Sequence, residues 1–167
     1  IDRLALGVAQ TMLKNFPEAI SNFDIAISLD QRFAVAYMAR GFARYAQSQA
    51  NAIINRNSEN ESFLDRRAQA AALQEAISDY DMAISLNPRL VFAWFNKGNI
   101  YYSAGDYTSA MQCFSEALKI DPEFGQAYFN RGLAYLQSGN KSQAFSDLSK
   151  AGELGILPSY NILKRMK

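Results

Sequence analysis

Few side chains in this sequence have the chemistry and spacing of an active site. There is no histidine, so the commonest general base and the commonest metal ligand are both missing. Cys113 is the single cysteine, which excludes an internal disulfide and a cysteine-based zinc site and favours a small apolar residue on a helix. Glu59, Glu61 and Asp65 lie close together, but a solvated face explains these carboxylates. Because no glycine-rich phosphate loop follows a strand either, we predict a protein that is not an enzyme and that uses neither a metal nor another cofactor.

The net charge and the length of the apolar runs limit the kinds of partner that the chain can have. Seventeen basic and sixteen acidic residues leave a formal net charge of +1, so no global field attracts nucleic acid or an anionic membrane. The longest apolar run, LVFAWF at 90–95, is far shorter than the roughly 18 residues of a membrane span. We therefore expect neither nucleic-acid binding nor membrane insertion. The sequence starts at Ile1 inside a helical pattern, so we expect a piece of a longer chain. The compartment is not predicted: it is either the cytoplasm or, if a leader has been removed, the cell envelope.

Small residues recur along the chain with a spacing of 34 residues. Four glycines define the register, separated by 34, 57 and 34 residues: Gly7, Gly41, Gly98 and Gly132. Four alanines follow the same register: Ala19, Ala76, Ala110 and Ala144. An aromatic or large apolar residue stands four positions after each alanine: Phe23, Tyr80, Phe114 and Leu148. The single break is a spacing of 57 instead of 34, that is, 23 extra residues.

This spacing indicates a pair of helices in each repeat, called helix A and helix B. In the third repeat Gly105 has the properties of a C-cap for helix A and Asp106 those of an N-cap for helix B. A glycine inside a helix costs about 1 kcal/mol relative to alanine. We therefore predict that Gly98 is a packing residue, at which helix B approaches helix A closely enough to offset that cost.

The pattern resembles the tetratricopeptide repeat, whose signature is W-x2-L-G-x2-Y, then A-x3-F, then P. Residues 91–124 match best, with Lys97 in place of the leucine; the matching residues are Trp94, Gly98, Tyr101, Ala110, Phe114, Ala117 and Pro122. The resemblance implies an all-α, right-handed α-solenoid of antiparallel helix pairs with the A helices along a concave groove, in a protein-interaction scaffold. We predict one domain over 1–167, with repeats near 1–33, 34–90, 91–124 and 125–157 and a capping helix at 158–167.

The 23 extra residues, near 46–68, contain neither proline nor glycine and are rich in helix formers. We predict that both helices of the second repeat run on by about three turns as an elongated helical hairpin. Two apolar stripes are expected to pair along it: Ala46, Ala50, Ile53 and Ile54 with Phe63, Leu64, Ala68, Ala71 and Ala72. The alternatives are a loop of no consequence, a hairpin that contacts a partner or another subunit, and a hairpin that only stiffens its own repeat.

The A-helix positions that do not pack on helix B should line the groove. They are Met38, Phe42, Tyr45, Phe92, Phe95, Asn96, Asn99, Tyr102, Gln126, Phe129, Asn130 and Leu133. Aromatic anchors among amides suit a peptide whose apolar side chains fill pockets and whose backbone is satisfied by asparagines.

Relatives of this family bind acidic tails through a clamp of Lys, Asn and Arg on the A helices, and only Asn99 matches that clamp here. We therefore predict a protein or peptide partner whose identity the sequence does not encode. Two alternatives remain: further repeats or a neighbouring subunit cover the aromatic residues, or the chain self-assembles as a homo-oligomer through the groove, the hairpin or an uncapped N-terminal edge.

Overall fold

The computed structural model describes residues 2–57 and 62–166, and within these ranges the chain is helical apart from its turns. The described helices are α1 (Arg3–Met12), α2 (Phe16–Leu29), α3 (Ala34–Asn57), α4 (Phe63–Leu86), α5 (Val91–Ser103), α6 (Tyr107–Ile120), α7 (Gly125–Gln137), α8 (Lys141–Glu153) and α9 (Pro158–Met166). They group into two compact units, Ile1–Leu90 and Val91–Lys167. Ile1, Glu59 and Glu61, which the sequence analysis singled out, lie outside the described residues.

Consecutive helices pack as pairs in each unit. In the first unit α1 packs on α2 and α3 on α4, and α2 joins the two pairs by packing on α3. In the second unit α5 packs on α6 and α7 on α8, with α6 against α7 between the pairs and α9 against α8. The predicted all-α architecture of helix-pair repeats followed by a capping helix is confirmed.

Close approach of the two helices in a pair depends on glycine. A Cβ atom added to Gly98 would lie 2.7 Å from Cε1 of Phe114 and 3.1 Å from Cβ of Cys113. Phe114 is fully buried, so its ring has little room to move away. A Cβ atom added to Gly7 or Gly132 would lie 2.5 or 2.9 Å from a buried side chain of its own helix B. The prediction that Gly98 is a packing residue is therefore confirmed.

The turns within the pairs follow the predicted capping pattern. Gly105 ends α5 with a φ of +82°, and Asp106 accepts a hydrogen bond from the backbone N–H of Ser109 at 3.0 Å. Gly139 takes the same left-handed conformation, with a φ of +78°. In the first repeat the equivalent place is held by Lys14, whose φ of +59° is a strained conformation for a residue with a side chain.

The second repeat contains the predicted elongated hairpin. α3 and α4 are 24 residues long, against 13 or 14 for α5 to α8. α4 begins with a capping box, in which the Ser62 hydroxyl accepts from the Asp65 N–H and the Asp65 carboxylate accepts from the Ser62 N–H. Neither α3 nor α4 combines the length and the apolarity needed to cross a membrane, and the same holds for the other described helices.

The two helices of the outer hairpin meet along the predicted stripes only in part, since Ile54, Ala68 and Ala72 line the crevice between them. Four large apolar residues expected to pair are 60–71% exposed: Ile53, Ile54, Phe63 and Leu64. The helices face each other across a crevice whose lining is small or polar apart from Ile54: Ser48, Asn51, Ala52 and Ile54 from α3, and Asp65, Ala68, Gln69 and Ala72 from α4. The reason is helix continuity. Gly41 of α3 meets Ala76 of α4 in the repeat core, and both helices carry that same face outward, so the small residues stay in the seam.

Candidate functional site

Three of the four predicted amide side chains of α5 and α7 form one hydrogen-bonded chain. Nε2 of Gln126 donates to Oδ1 of Asn130 at 3.1 Å, and Nδ2 of Asn130 donates to Oδ1 of Asn99 at 2.7 Å. Amide orientation is assigned from this network. In this orientation Asn99 ends the chain with its NH2 group and Gln126 ends it with its carbonyl oxygen. The two A helices of the second unit thus place their amides side by side.

Aromatic rings of the same unit form a second cluster beside α5. The ring of Phe95 lies 5.8 Å from that of Phe114 and 4.7 Å from that of Phe124. Phe92 meets Phe124 edge-on at 5.5 Å and remains 58% exposed. Phe95 therefore connects the buried core to the surface, and Phe92 presents an apolar face to solvent.

Tyr102 occupies the far end of α5. Its ring packs edge-on against Tyr107 at 5.4 Å, and its hydroxyl is hydrogen-bonded with Gln137. Burial raises the pKa of Tyr102 above its ordinary value, and the neighbouring Tyr107 adds to the shift. Tyr102 is therefore neutral at physiological pH.

The remaining predicted residues are not linked by a described contact. Asn96 on α5 and Phe129 and Leu133 on α7 are half-buried. In the first unit α3 carries the half-buried Met38 and Tyr45 and the exposed Phe42. None of the twelve predicted site residues carries a charge.

Two ion-pair clusters were not predicted, and the first lies in the first unit. Arg40 on α3 donates from Nε and Nη2 to the Asp79 carboxylate on α4, at 3.0 and 2.6 Å, and from Nη1 to Asp24 on α2 at 2.6 Å. Arg44 donates to Asp79 at 2.7 Å and lies 3.5 Å from Glu75. Asp79 is only 3% exposed. Burial alone would lower the pKa of Arg40, but its hydrogen bonds with the two aspartates raise it above its ordinary value, so the guanidinium stays charged.

The second ion-pair cluster lies in the second unit. Arg131 on α7 donates from Nε and Nη2 to the two carboxylate oxygens of Asp147 on α8, at 2.7 and 2.9 Å. Its Nη1 donates to the hydroxyl of Ser115 on α6 at 2.9 Å. The hydrogen bond with Asp147 raises the pKa of Arg131. Each arginine thus joins the two helices of its own repeat to the helix B before it.

A sequence signal for these clusters existed. Arg40 and Arg131 stand one residue before the repeat glycine, where the tetratricopeptide signature has leucine. Asp147 follows Arg131 by 16 residues, and Asp79 follows Arg40 by 39, which is 16 plus the 23 extra residues. A cation at the leucine position with an acid at this offset predicts the pair.

Arg40 and Arg131, together with Lys97 at the same repeat position, each stack on an aromatic ring three residues earlier in their own helix. Centroid distances are 5.4, 5.9 and 5.5 Å for Arg40 over Tyr37, Lys97 over Trp94 and Arg131 over Tyr128. Within the described ranges no three acidic or cysteine side chains converge as a metal site would require. The fold and its surfaces therefore define a helical-repeat protein in which Arg40, Arg44 and Arg131 join neighbouring helices.

Comparison with known proteins identifies the repeats. Three family models match, described as TPR repeat over 98–139 and as tetratricopeptide repeat over 79–112 and 125–154. The chain belongs to the tetratricopeptide-repeat family. It is 32% identical over 127 residues to human "Tetratricopeptide repeat protein 6", a match that covers 68% of this chain and 24% of that protein. The chain thus spans about a quarter of the length of this curated relative.

Solved structures share the fold. MamA has a TM-score of 0.70 at 26% identity, covering 95% of this chain and 79% of that chain. A thermophilic TPR protein of Thermus thermophilus has a TM-score of 0.74 at 20% identity, with 98% and 79% covered. PilF of Pseudomonas aeruginosa has a TM-score of 0.71 at 21% identity, with 92% and 60% covered. Folds of this family are protein-interaction scaffolds.

Proposed function

We propose that this chain is a non-catalytic scaffold that binds a peptide segment of a partner protein on the A-helix surface of its second unit. The observation that carries the proposal is the amide chain Gln126–Asn130–Asn99 beside the exposed ring of Phe92. A peptide needs hydrogen-bond partners for its backbone and apolar contacts for its side chains, and the amide chain offers the first and the exposed ring of Phe92 the second.

The ligand chemistry follows from the ends of the amide chain. The NH2 group of Asn99 is oriented to donate to a peptide carbonyl, and the carbonyl oxygen of Gln126 to accept from a peptide N–H. The adjacent Phe92 suits an apolar or aromatic side chain of the peptide. Because the predicted site residues are uncharged, we propose a ligand segment that binds through apolar and backbone contacts rather than through its charges.

Selection from a displayed library of random peptides tests the proposal. The parent chain should enrich peptides with apolar anchors, and their affinity should change little between about 0.05 and 0.5 M salt because screening acts on charges. Phe92→Glu and Asn99→Ala should each weaken binding by about tenfold or more. Phe145→Glu, at an exposed phenylalanine of α8, is the matched control and should bind like the parent.

Circular dichroism of each variant verifies that the helices remain. If the library yields no peptide, or if Phe92→Glu and Phe145→Glu bind the selected peptides equally well, the proposed surface is wrong.

A further inference from the structure

The outer part of the α3–α4 hairpin has an unfilled seam. Its crevice has a volume of about 240 Å³. On α4 the lining residues recur with helical spacing, as Asp65, Ala68 and Ala72, and on α3 Ser48 and Ala52 face them. Side chains of this size leave space where a helix pair would normally interdigitate large apolar residues. The hairpin is therefore a helix pair with room for side chains from outside.

The same part of the hairpin exposes four large apolar side chains, and one of them, Ile54, also lines the crevice. Ile53 and Ile54 near the described end of α3 are 60% and 66% exposed, and Phe63 and Leu64 at the start of α4 are 68% and 71% exposed. Single exposed apolar residues are ordinary, but four on the outer turns of one hairpin make a patch of the kind that marks an interaction surface. Cavity and protruding side chains therefore lie next to each other.

Charges beside the crevice are also self-complementary. Asp65 lines the crevice, and hydrogen bonds from Ser62 lower its pKa, so it is an anion at neutral pH. Arg66 and Arg67 follow it on the same turn and are exposed. Residues 46–54 of α3 carry no charge. An occupant of this surface must bring bulky apolar side chains together with a cation for Asp65, and the segment Phe63–Arg67 of another copy brings both.

We propose that the outer hairpin is a homodimerisation surface, in which Phe63 and Leu64 of each copy enter the α3–α4 crevice of the other. The contact is isologous, because the same patch supplies the cavity and the side chains that fill it. Arg66 and Arg67 of one copy lie against Asp65 of the other. Two helix pairs thereby become a four-helix arrangement with a filled centre.

The size of the patch sets the strength of the contact. The four large apolar side chains are about two-thirds exposed. Together they offer on the order of 300 Å² of apolar surface per copy for burial in the contact, given the area that one such side chain buries. A stable interface buries about 800 Å² per partner. The four side chains offer less than half of that area, so we expect a dimer that dissociates at micromolar concentrations rather than a permanent one.

Sedimentation equilibrium of the 167-residue chain over a concentration series is the direct test. The mass should rise with concentration toward twice the 18.6 kDa of one chain. Phe63→Asp/Leu64→Asp, which removes the entering side chains, and Ala68→Phe, which fills the crevice, should each raise the dissociation constant at least about tenfold. Phe145→Asp on α8 is the matched control and should dimerise like the parent.

Mixing the two defective variants distinguishes this geometry from other dimers. Phe63→Asp/Leu64→Asp keeps an open crevice, and Ala68→Phe keeps its entering side chains. Their equimolar mixture therefore restores one of the two reciprocal contacts and should form heterodimers more readily than either variant self-associates.

Three results overturn the proposal: a parent mass that stays at one chain throughout, equal dimerisation of the parent and both variants, or a mixture no better than its components. The first leaves the crevice to a different protein, and the second assigns dimerisation to another surface. Because Phe92 and Asn99 lie in the other unit, the outcome is independent of peptide binding there.

Discussion

The ion pair between Arg131 and Asp147 should stabilise the second unit only while both partners are present. In the Asp147→Leu variant the Arg131 guanidinium keeps the Ser115 hydroxyl as its remaining described hydrogen bond, with 19% of its side chain exposed. A buried charge that loses its partner costs about 3–5 kcal/mol, and the residual exposure places this variant near about 3 kcal/mol. In the Arg131→Leu variant the Asp147 carboxylate is left unpaired, and only 9% of its side chain is exposed. We therefore expect a loss of stability toward the upper end of that range.

The double variant separates the interaction energy of the ion pair from the cost of leaving one of its charges unpaired. Replacing a buried ion pair by apolar residues is often neutral, and leucine is the signature residue at position 131. Arg131→Leu/Asp147→Leu should therefore unfold within about 1 kcal/mol of the parent, which gives a coupling energy of at least about 3 kcal/mol.

Urea unfolding followed by tryptophan fluorescence measures these differences. Trp94, the single tryptophan, lies in the same unit as the pair and reports its unfolding, which matters because helical repeats can unfold in segments. Lys119→Ala is the matched control: its pair with Glu116 is 2.6 Å long but 69% and 40% exposed, and removing it should cost under about 1 kcal/mol. A cost of Asp147→Leu no larger than that of Lys119→Ala would refute the reasoning.

Four further changes test individual contacts by urea unfolding followed by circular dichroism, which reports the helices of both units, because Lys14 and Ser48 lie in the first unit and Trp94 in the second. Gly98→Ala should destabilise the chain by about 1–3 kcal/mol despite its better helix propensity, because the new methyl group overlaps the Phe114 ring; a stabilised variant would contradict the close packing. Lys14→Gly should stabilise by up to about 1 kcal/mol by relieving a positive φ, and no gain would mean that this turn stores no strain. Ser48→Ala should stabilise by about 1 kcal/mol, since the buried hydroxyl has no hydrogen-bond partner among the described residues; a loss would reveal one. Asp106→Asn keeps an N-cap side chain but removes the titratable carboxyl group. Hydrogen bonds from Ser109 lower the pKa of Asp106 in the folded state. The stabilisation by Asp106 is therefore present above its pKa in the unfolded state and is lost as the pH falls through its pKa in the folded state. Between pH 7 and about pH 3 the parent should therefore lose more stability than Asp106→Asn, and equal losses would exclude this contribution.

The repeat register could be predicted because it depends on close contacts within one repeat. Gly98 and Phe114 are 16 residues apart, and their spacing recurs, so the sequence reports the contact several times. The long hairpin was predicted for a similar local reason, since an insertion of helix formers without proline or glycine continues the helices on either side.

The pairing inside that hairpin could not be read from apolar stripes. Ile53 and Phe63 look like core residues when each helix is considered alone. The orientation of both helices is set further down, where Gly41 meets Ala76, and a rigid helix cannot rotate to bury a different face. Tertiary geometry therefore overrides local amphipathicity in this segment.

The candidate site was predicted in its residue types but not in its connections. Asn99 and Asn130 were expected on the A helices, while their shared hydrogen bond depends on how α5 and α7 lie side by side. The pairing of Arg131 with Asp147 was not predicted, although the offset of 16 residues was available, because charged residues are mostly exposed and a buried pair is the exception.

The arginine clusters restrict how such an array of repeats can change in evolution. Arg40 is matched to a carboxylate of the preceding helix pair, Asp24, whereas Arg131 is matched to a hydroxyl, Ser115. Repeats joined by leucine can be exchanged or duplicated with little penalty, since one apolar side chain packs much like another. Here a transplanted repeat would keep its own Arg–Asp pair but lose the third partner of the arginine, Asp24 or Ser115, on the preceding helix B. Within each unit the arginine therefore favours the particular repeat that precedes it.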